Sequence, residues 1–271
     1  MDARRGLDRK EREDVEELMR VRAPVLYEIV RQEGLDELQR PVTSLWWSGI
    51  AAGLALSASV FSQGFLRLHL PDAPWRPLIE NFGYCVGFVM VIMGGFQLFT
   101  EQTVMAILPL LSDRTWDNLL RTARLWIVVL IANLVGTFAG ALFATLSAAT
   151  TPEQLTAFLA LSSQFVGKSF WELLLLGIPA GFLIAALTWM LPNAEGGGKF
   201  WVTLLITYVI ALGSFSHVIA GSTEVFLLLL AGKMTVGAAF GFAILPSLIG
   251  NILGGTALFS VIAYGQVREE I

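Results

Sequence analysis

The side chains best suited to chemistry in this sequence sit where they are most costly to keep. Between Ile206 and Gly232 the chain is apolar and long enough to cross a bilayer. Its middle nevertheless carries Ser214, Ser216, His217, Gly221, Ser222, Thr223 and Glu224. Polar and ionisable groups at membrane depth are retained where they line a cavity or carry an ion path. The glycines and hydroxyls beside them predict a helix that stops and restarts, which lipid tolerates only where the freed backbone faces protein or water. An imidazole at such a break can donate a hydrogen bond to an arriving carboxylate or pass it a proton. A weak acid made neutral crosses an apolar gate far more easily than its anion. The plainer alternative is a histidine that bonds Thr100 and pins a loop.

A second stretch repeats the pattern. Gly94 and Gly95 are followed by Gln97, Thr100, Glu101 and Gln102 within an apolar interval, and Thr100-Glu101 echoes Thr223-Glu224. Corresponding interruptions in two halves of a membrane chain point to an inverted repeat with a central site. Glu101 and Glu224 have two readings. Each accepts bonds from freed N–H groups at a helix start, where the dipole favours negative charge, or each relays protons and disfavours small anions against neutral or cationic permeants.

The elements that position these residues follow from composition. Of 271 residues 55% are hydrophobic and 15% charged, which excludes an ordinary soluble domain. Six charge-light intervals, 41–66, 81–100, 125–152, 173–194, 200–223 and 234–267, each reach the roughly 20 residues a spanning helix needs. The short alternating segments of a membrane β-barrel are missing. The expectation is an all-α polytopic membrane protein of six spans, three in each half, with the second and fifth broken. Fourteen of the eighteen Lys and Arg fall on the side of the termini, so the positive-inside rule places both termini in the cytoplasm. The domain division expected is an N-terminal amphipathic helix in 1–40, a channel domain over 41–267 and a short tail, 268–271. The helix reading takes in residues 7–40, with Val15, Leu18, Val21, Val25, Leu26, Ile29 and Val30 at helical spacing. It packs on its own membrane domain or a neighbouring subunit, or it regulates. No cleavable signal is expected, the first span serving as insertion signal.

Four GxxxG pairs, Gly49/Gly53, Gly136/Gly140, Gly177/Gly181 and Gly250/Gly254, predict close helix crossings. Asn133 is the one strongly polar residue of the third span, and the lone cysteine, Cys85, reads as a small core residue. Residues 151–167 predict an amphipathic helix outside the membrane, capped by Thr151 with Pro152 in its first turn. Residues 192–198 form a glycine-rich turn.

Taken in order, GGFQLFT (94–100), ANLVG (132–136), GSFSHVIA (213–220) and GNILGG (250–255) resemble the motifs of the formate/nitrite transporter family over nearly all of residues 40–267. LFTEQT, GSTEVF and the VREE tail are closer to its divergent YfdC-type branch. The resemblance implies an aquaporin-like fold, a homopentamer with one pore per protomer, and a bacterial inner membrane location. By position it implies that His217 is the central pore histidine, with Thr100 in the loop that bonds it and Asn251 as a polar pore residue. It places Leu98, Phe99 and Ile184 at the cytoplasmic constriction, and Tyr84, Phe88 and Ile210 at the outer one. Tyr84 and Phe88 have an ordinary packing role as their alternative. Several positions depart from the family pattern. Gly181 and Gly221 stand where asparagines are usual, Ser216 where an acid is, and Phe165 where the outer-vestibule lysine falls. Lys168, three residues on, is the candidate to attract anions there. Glu101 and Glu224 are additions to the pattern.

The function expected is passage of small monovalent anions or their conjugate weak acids, formate or nitrite among them. The alternatives are a proton-coupled or neutral or cationic solute transporter using the glutamates, and a water or glycerol pore. The last lacks paired Asn-Pro-Ala boxes. An intramembrane enzyme would need a Ser/His/Asp or HExxH pattern, which is missing, and His69 is the only other histidine. No cofactor, metal or nucleic-acid partner is expected. The partners are membrane lipid and the small-molecule permeant.

Overall fold

The computed structural model describes residues 8–9 and 21–271, so Val15 and Leu18 of the expected amphipathic stripe lie outside the described residues. Among these residues the fold is entirely helical, and five helices are long and apolar enough to cross a membrane. They are α2 (Val42–His69), α3 and α4 taken together (Arg76–Glu80 and Phe82–Gly94), α7 (Trp116–Leu146), α9 (Phe170–Met190, prolonged by a 3₁₀ turn) and α12 (Val236–Val267). The fifth apolar interval is instead divided between two shorter helices, α10 (Gly198–Leu212) and α11 (Val218–Leu230). Short helices α5 (Phe99–Met105) and α6 (Ile107–Ser112) follow α4, and α8 (Pro152–Ser162) links α7 to α9.

Helix starts follow local chemistry. Thr151 caps α8 and Ser169 caps α9, each in a reciprocal capping box with Gln154 or Glu172. Within α12, Pro246 cannot donate to the helix and its ring crowds the preceding turn. The turn before it, Ala239–Ile244, widens to π geometry, as does Leu253–Ser260 further on.

Two of the close helix crossings use the GxxxG pairs. At α2 against α7, a Cβ on Gly53 would meet the Asn133 carbonyl and one on Gly136 the Ile50 carbonyl. At α9 against α12, the same holds for Gly181 with Asn251 and for Gly254 with Ile178. Backbones this close leave room only for hydrogen, the packing lipid-embedded helices use in place of a hydrophobic driving force.

Two further helices lie at the ends of α2. At its start, Arg124 of α7 donates to the Leu38 carbonyl at 2.6 Å, tying down helix α1 (Ala23–Gln39). At its far end, Gly64 packs under the ring of Phe158 of α8. Helices α1 and α8 therefore mark opposite ends of the bundle. The buried face of α1 takes in only part of the expected stripe: Leu26 and Val30 are buried together with Tyr27, Gly34 and Leu38, whereas Val21, Val25 and Ile29 are exposed. Two contacts set that face. The Tyr27 hydroxyl shares a 2.7 Å hydrogen bond with Ser112, and Gly34 allows the helix to lie against the Met105 carbonyl.

Candidate functional site

Two interruptions in the helices converge on His217. Helix α4 ends at Gly94, and Gly95 turns left-handed (φ 62°). The Gly95 and Phe96 N–H groups bond back to Ile92 O at 3.3 Å and Val91 O at 3.0 Å. Gln97 and Leu98 run extended, and α5 starts at Phe99. Helix α10 ends in the same way. Ser214 is the only non-glycine residue described with positive φ (50°). Its N–H and that of Phe215 bond to Ala211 O at 3.0 Å and Ile210 O at 3.1 Å, Ser216 and His217 run extended, and α11 starts at Val218.

Each restart is clamped by one buried asparagine. The Phe99 N–H donates to Asn133 Oδ1 (2.9 Å), while Asn133 Nδ2 donates to the carbonyls of Gly49 and Gln97 (both 2.8 Å). The Val218 N–H donates to Asn251 Oδ1 (2.8 Å), while Asn251 Nδ2 donates to the carbonyls of Gly177 (2.9 Å) and Ser216 (2.8 Å). These bonds satisfy the first free donor of each helix and the carbonyls released by the break, as buried backbone requires. They also fix the register between the two breaks: Leu98 matches His217, Phe99 matches Val218, Glu101 matches Ala220, and Glu224 matches Met105. The two Thr-Glu pairs are thus not counterparts, because their echo is four residues out of register.

His217 is buried at the N-cap of α11. Its Nδ1 accepts from the Ala220 N–H at 3.2 Å, and its Nε2 lies 2.8 Å from Thr100 Oγ1. With the Nδ1 lone pair so engaged, the neutral ring carries its hydrogen on Nε2 and donates it to Thr100. The Phe88 ring stands edge-on to the imidazole, 5.0 Å between centroids, and Tyr84 follows one turn away on α4.

A cavity of about 290 Å³ leads from the α8 end to this imidazole. Tyr84, Ile210, His217, Glu224 and Lys168 all line it. Thr100 and Phe88 stand behind His217 and touch it directly. Leu98, Phe99, Ile184, Asn251 and Glu101 do not line it. Leu98 and Ile184 are buried in the core, Phe99 packs edge-on against Trp126 (5.7 Å), and Asn251 spends its amide on backbone. Glu101 lies in the first turn of α5, half-buried beside Glu33 and Glu37 of α1, and its carboxyl takes no hydrogen bond among the described residues. Glu224, by contrast, is not at a helix start. It sits midway along α11 and accepts from Gln164 Nε2 at 2.8 Å.

Several wall residues escape a reading of the sequence. Arg67 donates twice to buried Glu80 (3.2 Å each), Gln63 donates to Asn81 (2.8 Å), and Gln164 reaches in from the turn after α8. Gln164 falls in a segment that reads as a surface helix. Arg76 and Glu80 are spaced for a helical ion pair, the one signal that announces this cluster. Ser222 and Thr223 look like pore groups in sequence but bond Thr137 (2.8 Å) and Ser57 (3.3 Å) on the opposite face of α11.

A family model described as formate/nitrite transporter matches residues 24–265. The inner membrane protein YfdC of Escherichia coli (strain K12) is 38% identical over 250 residues, covering 92% of this chain and 80% of that protein. Among solved structures, one titled FNT family ion channel superposes with a TM-score of 0.73 at 20% identity, covering 90% of this chain and 96% of the other. Another, titled pentameric formate channel with formate bound, gives 0.67 at 19% identity, covering 84% and 98%. The chain belongs to the formate/nitrite transporter family.

Proposed function

We propose that this membrane protein is a channel or transporter for small monovalent anions or their conjugate weak acids, with one pore in each protomer of a homopentamer and His217 handling a proton at its centre. The observation that carries this is the cavity that ends on a buried imidazole flanked by Tyr84, Phe88 and Ile210. Family membership and the fold shared with a solved pentameric formate channel support it. In this reading α4–α5 and α10–α11 are the broken second and fifth of six crossings, arranged as two inverted halves. The matched asparagine clamps support that arrangement. Both termini face the cytoplasm of a bacterial inner membrane, with α8 and the cavity mouth outside. Leu98, Phe99 and Ile184 then close the cytoplasmic side of the imidazole, and Lys168 draws the anion into the mouth.

The proton step has a defined geometry. Nε2 already carries its hydrogen toward Thr100, so an incoming proton has only Nδ1 to take. That requires the bond from Ala220 N–H to open, which couples proton handling to the cap of α11. Proteoliposome uptake of formate, nitrite, acetate and hydrosulfide across pH tests the reading: flux of at least one is expected, and flux of none at any pH rejects it. A second reading, proton-coupled or neutral or cationic transport through the glutamates, is favoured by Glu224 standing on the cavity wall.

A further inference from the structure

The proposed pore needs a group that sorts what reaches the histidine, and the outer cavity holds one. His217, Gly221 and Glu224 all line the cavity from α11, at the spacing of one helical face. By the helical rise Glu224 lies roughly 10 Å outward of the imidazole, so a solute moving from the mouth meets the carboxyl first. The rotation of α11 is set from behind by the Ser222–Thr137 and Thr223–Ser57 bonds, so Glu224 cannot turn away. Its Oε2 accepts from Gln164. Its Oε1 takes no hydrogen bond among the described residues and is not closed off from the cavity.

The other charges on the wall make this carboxyl the deciding one. Arg67 and Glu80 compensate each other through two hydrogen bonds. That leaves Lys168 at the mouth and Glu224 deeper. Resting on the proposed weak-acid function, we infer that Glu224 is a specificity-determining residue. It favours permeants that have taken up a proton in the mouth before they reach it, the conjugate acids of formate-sized weak acids, and turns back anions that stay ionised there, such as nitrate, so that the proton His217 handles enters with the permeant. A carboxylate oxygen accepts from the O–H of an acid and offers a bare anion no donor. An ionised carboxylate about 4 Å from an anion in a protein cleft discriminates by at most roughly 10³-fold, of which Lys168 and protonation of the carboxyl each return part.

The test is the ratio of nitrate to formate uptake into proteoliposomes of the full chain. Glu224→Gln keeps the shape and a partner for Gln164 while removing the charge, and is expected to raise the ratio at least about tenfold. Gln164→Glu adds a second carboxyl to the same wall and is expected to lower it. That arm stands alone should Glu224→Gln fail to assemble. Weak-acid flux with a ratio unmoved in the variants that assemble overturns the role of Glu224 alone. No weak-acid flux in the wild type at any pH overturns the proposed function and this inference with it.

Discussion

The two interruptions share a backbone and differ in what they present at its tip. Each begins with a left-handed residue (Gly95, Ser214), each bonds its next N–H back into the helix it leaves, and each restarts under an asparagine that makes the same three bonds. At the matched tip one carries Leu98 and the other His217, the N-caps of α5 and α11. Leu98 offers no cap, so Asn133 and backbone alone hold that break. His217 caps its own helix and also reaches Thr100 across the centre. One frame, used twice, presents an apolar side chain at one tip and a polar one at the other.

The largest effect should come from removing the clamps. Asn133→Leu and Asn251→Leu each strand a buried N–H and two carbonyls, at about 1–3 kcal/mol per unsatisfied group. Both should lower the thermal unfolding temperature strongly and by similar amounts. A tolerated Asn251→Leu beside a crippling Asn133→Leu would break the equivalence. Next come the crossings: Gly53→Ala and Gly181→Ala drive a methyl into the Asn133 and Asn251 carbonyls, and overpacking of this kind costs about 1–3 kcal/mol. The smallest pair is the sharpest. Ser214→Gly relieves a strained φ and should stabilise by about 1 kcal/mol, while Gly95→Ser should destabilise by a similar amount. Both shifts are readable in a denaturation series of the purified protein, and equal signs would show that the two turns differ.

Both interruptions are legible because glycines and hydroxyls weaken an apolar spanning helix unless the backbone breaks where they stand. GGFQLF and GSFSHV even show their alignment, since each has a glycine pair or Gly-Ser followed by phenylalanine. The Thr-Glu echo misleads for a physical reason. Register is set by Asn133 and Asn251, a buried asparagine in each of two distant helices, and nothing local ties them to Phe99 or Val218. The place of Asn251 in the backbone, rather than on the cavity, is hidden for the same reason. Helix α1 shows a limit of periodicity: counting apolar residues finds the buried Leu26 and Val30 but also the exposed Val21, Val25 and Ile29, whereas Tyr27 and Gly34 decide the packed face through a hydroxyl and a missing Cβ. Gln164 reaches Glu224 only because the chain turns back after α8.

His217 is the residue that sets the two breaks apart and on which the proposed function turns, and His217→Asn isolates its proton. Asparagine is a good N-cap, so the variant keeps α11 started and the frame intact but cannot carry the second proton. The measurement is initial formate and nitrite uptake into proteoliposomes from pH 5 to pH 8, for wild type and variant at equal protein content. Weak-acid flux is expected in the wild type, and in the variant a flux that falls by about 10²-fold and loses the wild-type pH profile. A variant that keeps both the rate and the pH profile would contradict a proton-handling role for His217.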